Sequence, residues 1–176
     1  GPDTAVPTDI PDPDATTTGP SSPDPDSQPP RARHIWLYQA DAEDSAQLAA
    51  LDGDALPLIW GANPNTRAGD LVLMYRRSPL QDFVALFTAV TDAAPQSEID
   101  LPTGWDTSWR HAVQLDNRIR FDHPLPRQIA HSHPDLSSWN LMRTSQGSLR
   151  HTNHLRGYAD GNWPALWTLL LAWNPG

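Results

Sequence analysis

Apolar side chains in the first half of this chain come in short blocks rather than long helical stripes. Residues 34–39, His-Ile-Trp-Leu-Tyr-Gln, mix β-branched and aromatic side chains and predict a first strand. From Asp41 to Leu51 the pattern changes. Ala46, Leu48, Ala49 and Leu51 follow an acidic first turn, with Gly53 just beyond, which predicts a short helix. Leu56 to Trp60 is a brief apolar run, ended by the breakers Gly61-Ala62-Asn63-Pro64-Asn65. Leu71–Tyr75 and Phe83–Val90 flank the polar stretch Arg76–Asp82, the pattern of an antiparallel hairpin with a long turn. Residues 92–104 read as a loop. Alternation returns at Val113, Leu115, Ile119 and Phe121, predicting one or two strands with Asp116-Asn117 as a turn or bulge. Pro124–Ala130 predicts a helical turn and Asn140–Arg150 a loop or short strand. Asn162 caps a final helix, Trp163–Trp173, with Pro164 in its tolerant first turn; that helix is apolar nearly all round and should be buried. Strand, helix, several antiparallel strands and a closing helix describe an α+β domain. Its core would be a curved antiparallel sheet or small open barrel flanked by helices.

The first 33 residues break this pattern. They hold nine of the 19 prolines, six Asp and only five apolar side chains, too few to offset their ordering entropy by burial. The expectation is a disordered Pro/Asp-rich linker over 1–33 and a folded unit over 34–176, with Gly1-Pro2 as a possible cleavage scar and native chain continuing upstream. Net charge is −9, from 12 cations and 21 acids, and every cation is Arg. The linker carries −4, residues 34–100 carry −7, and residues 101–160 carry +2 with six of the seven His. A general nucleic-acid coating function is excluded by the overall sign, while a local anion-binding face after residue 100 remains open.

Several chemistries are absent. With no Cys there is neither a disulfide framework nor a Cys-ligated zinc. No apolar run is longer than that of Leu169–Trp173, too short to cross a bilayer, and no secretory signal is visible, so a cytoplasmic location is expected. GxGxxG, Walker, GxSxG and HExxH patterns are missing. His131-Ser132-His133 and His151-x-x-His154 lack zinc-site spacing and read as loop histidines. No Asp is marked by an apolar setting that would raise its pKa. The reading is a binding module with no cofactor and no metal, not an enzyme.

Tryptophan is the informative residue type, with eight in 176. Trp36, Trp163, Trp167 and Trp173 fall in regular elements and are expected in the core. Trp60, Trp105 and Trp109 stand among Gly, Pro, Asn, Asp and Thr. They are either plugs at the edge of the core or three walls of a cage for a flat base.

The order of motifs resembles the YTH/EVE branch of the PUA-like superfamily over about residues 34–171. Ile35–Tyr38 followed by Asp41-Ala42-Glu43-Asp44 is similar to the YTH opening, and Trp60 before an Asn-containing loop looks like the first cage Trp. Gly69-Asp70-Leu71-Val72-Leu73-Met74-Tyr75 resembles the EVE "GD" strand, with Phe83–Val90 where those families place its partner. Trp105-x-x-x-Trp109 looks like the loop supplying the remaining aromatics, and Arg143-Thr144-Ser145-Gln146-Gly147 is similar to the R-x-x-Q turn near the end of YTH domains.

That resemblance implies a modified-base reader for N6-methyladenine, or next for 5-methylcytosine, with the base flipped into a cage of Trp60, Trp105 and Trp109. It implies a polar base contact at Asp44, backbone contacts at Gly61 and phosphate contacts at Arg143 and Arg150. Asn63 is added as an edge contact on chemical grounds. The expected partner is nucleic acid carrying a methylated base, DNA before RNA. An effector domain upstream in the same chain would make this the specificity part of a modification-dependent restriction system. Two other readings compete: a carbohydrate- or protein-binding module on a Pro-rich linker, and an ASCH-like hydrolase.

Overall fold

The computed structural model describes residues 29–100, 109–137, 153–154 and 162–175. Its strands are apolar on both sides because the sheet is covered on both sides. In β1 (Ile35–Ala40), Ile35 and Leu37 join one buried cluster while Trp36, Tyr38 and Ala40 join another. β3 (Leu71–Arg76) repeats the division, with Leu71, Leu73 and Tyr75 on the first side and Val72 and Met74 on the second. Period-two geometry sends successive side chains to opposite faces, so a strand buried twice reads as one continuous apolar run.

The remaining elements, in chain order, are α1 (Ser45–Asp52), β2 (Leu58–Gly61), β4 (Asp82–Ala89), β5 (Ala94–Pro95), β6 (His111–Pro126), α2 (Arg127–Ser132), β7 (Asn153–His154) and α3 (Asn162–Trp173). The sheet runs β2-β6-β4-β3-β1-β7, with β5 also on β6. It curls into a half-barrel, an α+β architecture consistent with PUA-like domains. One expected feature is corrected. β1 pairs with β3 in parallel, Ile35 opposite Leu71 through Ala40 opposite Arg76, so the sheet is mixed rather than wholly antiparallel. The chain makes that crossover through α1 and β2, as parallel neighbours require.

β6 is a single strand of 16 residues, not two. Asn117 takes φ 53°, and the register against β4 slips between Leu86↔Ile119 and Thr88↔Asp116. Asp116-Asn117 is therefore a bulge, made possible by a residue that tolerates the left-handed region.

The helix expected from Asp41 begins at Ser45. Asp41–Asp44 form a turn, with the Glu43 amide donating to Asp41 Oδ1 at 2.9 Å, and Asp44 caps α1 by accepting from the amides of Ala46 (2.9 Å) and Gln47 (3.2 Å). The other end of α1 is closed by two arginines of β6. Arg118 Nη2 donates to Ala50 O at 3.1 Å, Arg120 Nη2 donates to Leu51 O at 3.1 Å, and both guanidinium groups bond Gly53 O. Cations at these carbonyls suit the negative end of the helix. Arg118 also lies over the Phe87 ring, 5.4 Å from its centroid. Burial, and then the neighbouring Arg120, push its pKa below the usual guanidinium value. Two members of the expected basic face thus serve inside the fold.

α3 covers the first cluster with Trp163, Leu166, Trp167, Leu170 and Leu171. Trp173 departs from the expected core set: it is 36% exposed, with its indole N–H on Pro124 O at 3.1 Å. Contacts of the folded unit reach back past His34. Trp163 Nε1 donates to Pro30 O at 3.1 Å and Ala32 packs on the same cluster. Residues 1–28, which carry most of the expected linker, lie outside the described residues.

Two phenols sit in the cores, and desolvation pushes the pKa of both Tyr38 and Tyr75 up to about 12 from 10. The folded state therefore favours the neutral phenol, so their contribution to stability is complete below pH 10 and is lost as pH rises from 10 towards 12. The unfolding free energy from urea titration should fall across that interval by on the order of 1.4 kcal/mol per pH unit per phenol, lowering the midpoint, and Tyr38→Phe should flatten the decline. A midpoint independent of pH above 10 would contradict this.

Candidate nucleic-acid interface

β2 and the residues leading into β6 carry the aromatic pair at the edge of the second cluster. Trp60 lies in β2, not on a loop, and is 1% exposed among Trp36, Tyr38, Met74, Phe87 and Val113. Its indole N–H donates to Gln39 O at 3.1 Å. Ala40 O accepts from the Arg77 amide on the β3 side, so the Gln39 carbonyl one residue earlier faces the opposite edge, where Trp60 meets it with a side-chain donor.

Trp109, just before β6, lies half-buried against Trp60, ring centroids 5.5 Å apart and planes inclined by 39°. Gly61 makes this approach possible. A Cβ there would stand 2.5 Å from Trp109 Cγ and Cδ1, so any side chain would lift the indole off the strand. Two of the three expected cage rings are thus brought together, but against each other. A base between two rings needs about 7 Å, two stacking steps of ~3.4 Å. Trp60 offers no open face and instead backs Trp109. Trp105, Arg143 and Arg150 lie outside the described residues.

The loop after Gly61 is held at many points. The Ala62 amide donates to His111 O (2.9 Å), the Asn63 amide to the Tyr38 hydroxyl (3.1 Å), and the Tyr38 hydroxyl bonds the buried Thr66 hydroxyl. Asn63 Oδ1 accepts from the Asn65 amide at 2.8 Å, an Asx turn that leaves the amide nitrogen as the end of the side chain a ligand could engage. Asp70, 1% exposed, accepts from Trp36 Nε1 (2.9 Å) and the Arg67 amide (2.9 Å), with Arg33 at 3.4 Å. Asp92 accepts from the Ala68 amide, and the Ala93 amide donates to Thr66 O, each at 2.9 Å. Asp44, expected at the base edge, has its carboxylate committed to starting α1. Tyr38, Thr66 and Asp70 are the anchoring residues that sequence reasoning did not single out. Asp70 had a signal in the Gly69-Asp70 strand opening, and Tyr38 shares the face of Trp36 by simple alternation.

Among the described residues no group of three His, Cys, Asp or Glu could hold a metal, and no helix is long and apolar enough to cross a membrane. No family model and no curated protein matches the chain in sequence. Solved structures do resemble it. PSPTO5229 of Pseudomonas syringae superposes with a TM-score of 0.53 at 15% identity over 78% of this chain and 99% of that one. Rpa0253 of Rhodopseudomonas palustris gives 0.50 at 17% over 80% and 92%. The YTH domain of Zygosaccharomyces rouxii MRB1, solved in complex with N6-methyladenosine RNA, gives 0.49 at 13% over 81% and 90%. At such identities the first two share a fold with this chain, and no more is drawn from them.

Because Trp60 is enclosed and supplies a bridging hydrogen bond, Trp60→Ala should destabilise the domain by about 3–5 kcal/mol in chemical denaturation. A loss below ~1 kcal/mol would show that the ring is not part of the core.

Proposed function

We propose that this chain is a binding module for a methylated nucleobase, flipped from its stack and laid on the outward side of Trp109. One observation carries the reading: a half-buried indole held flush on a glycine and backed by a second, buried indole, beside a clamped loop bearing Asn63. An immobilised ring presents a flat, apolar surface at little entropic cost, and base–aromatic stacking is worth about 1–3 kcal/mol. Burying one methyl adds on the order of 0.8 kcal/mol. These gains oppose a few kcal/mol for extracting a base from a duplex, which makes a mispaired or single-stranded target easier to hold. Asn63 supplies the polar edge contact and Gly61 the adjacent backbone groups.

N6-methyladenine is favoured and 5-methylcytosine comes next, in DNA before RNA, in line with the motif order shared with YTH and EVE domains. The module has no catalytic part of its own. It serves as the specificity element of a cytoplasmic modification-dependent restriction system whose effector lies upstream in the chain. The short Pro/Asp-rich stretch would tether it, so that overall affinity depends on the attached domain.

Tryptophan fluorescence titration with oligonucleotides carrying N6-methyladenine, 5-methylcytosine or neither tests the proposal. Tightest binding to one modified strand is expected. Trp109→Ala should cost that strand about 5- to 100-fold in affinity, bringing it level with the unmodified one while circular dichroism stays native. Equal affinity of the unaltered chain for all three strands would end the claim.

A further inference from the structure

The loop that begins at Gly61 ends in a cation with an unusual setting. Arg67 is exposed, yet its guanidinium is fixed: Nη1 donates to Pro64 O and to Thr66 O, each at 2.9 Å. Its backbone amide is tied to the buried Asp70 carboxylate at 2.9 Å. Among the described residues no carboxylate lies within ion-pair distance of the guanidinium. The exposed Arg77 differs, since it pairs with Asp41 at 3.3 Å, while Arg76 is locked to Asp82 and Arg118 and Arg120 close α1. An arginine held by one nitrogen has lost most of its side-chain freedom before any ligand arrives, and still presents Nη2 and Nε as donors. That is the arrangement a phosphate needs, because a prepaid conformational cost and a planar fork favour charge-assisted bonds to an oxyanion.

We propose that Arg67 is a backbone-phosphate contact for the strand whose base stacks on Trp109. The inference rests on the base-binding reading and extends it by supplying the strand's register. The Ala62 amide is bonded to His111 O, two residues after Trp109, and the Ala93 amide, just before β5, is bonded to Thr66 O; β2 and β5 both pair with the start of β6, so the loop is fastened at the end of the sheet where Trp109 lies. Phosphate contacts position a strand without reading it. Arg67 should therefore act on modified and unmodified strands alike.

The test uses the full chain and its Arg67→Gln and Arg77→Gln variants, titrated with methylated and unmethylated single-stranded oligonucleotides at several salt concentrations. Arg67→Gln should weaken both strands about fivefold at ~0.1 M salt and reduce the magnitude of the log–log salt slope by about 0.7, the signature of one lost phosphate contact on a single strand. Arg77→Gln should leave both quantities unchanged. An unaltered slope for Arg67→Gln, or an equal loss in both variants, overturns the assignment. So does a loss confined to the methylated strand, which would make Arg67 a base contact. A parent chain that binds but does not distinguish the strands fails the base-binding reading alone, and one that binds neither strand overturns both.

Discussion

The indole of Trp60 joins parts of the sheet that backbone hydrogen bonds leave apart. β2 and β1 are not neighbours in the strand order. The Gln39 carbonyl of β1 is a partly buried acceptor, and leaving such a group unpaired is costly. The Trp60 N–H satisfies it while the ring fills the second cluster and braces Trp109. One side chain thus ties β2 to β1 and backs the candidate platform. A change there is felt at the site through the fold and not by contact with a ligand.

A similar economy governs the charged groups. Sequence charge counts suggested a basic face after residue 100, but position along the chain says nothing about direction. Arg118 and Arg120 alternate onto the face of β6 that meets the C-terminal end of α1, and there they satisfy carbonyls the helix cannot. Arg76 spends both ends of its fork on Asp82, and that hydrogen bonding raises its pKa. Asp70 collects two N–H donors and the more distant Arg33. Arg67, on the loop between β2 and β3, is exposed and paired with no carboxylate among the described residues, and binding of a polyanion by so acidic a chain acting alone would be weak and salt-sensitive.

The strands were legible as short blocks of apolar, β-branched and aromatic side chains bounded by turn formers, and the last helix because Asn162, Pro164 and a solid apolar run coincide. The parallel pairing of β1 with β3 was not, since alternation fixes which face a residue takes but not which neighbour a strand chooses. Asp44 shows a different limit. An acid before a helix and an acid at a base edge look the same in sequence, and only the amides of Ala46 and Gln47 distinguish them. Trp60 was misplaced by its neighbours. Gly61, Asn63 and Pro64 suggested a loop, although β2 runs through Gly61 before the chain turns. Trp173 erred the other way, because an apolar helix has an end, and its last turn overhangs the core.

Gly61 explains why the pair of rings occurs at this point of the sheet. A residue with a side chain in β2 opposite Ala112 would stand where Trp109 lies, and the indole would be displaced into solvent. With glycine there, the ring rests on the strand backbone and meets Trp60, so one face is buried before any ligand comes. Strand pairing fixes Gly61, the phenol of Tyr38 fixes Asn63, and the carboxylate of Asp70 fixes the amide of Arg67. Ring, amide and guanidinium are then held in one frame by groups that are themselves buried. Such preorganisation would let an acidic domain spend little ordering entropy on a ligand bound there and select it by shape where net charge would repel it.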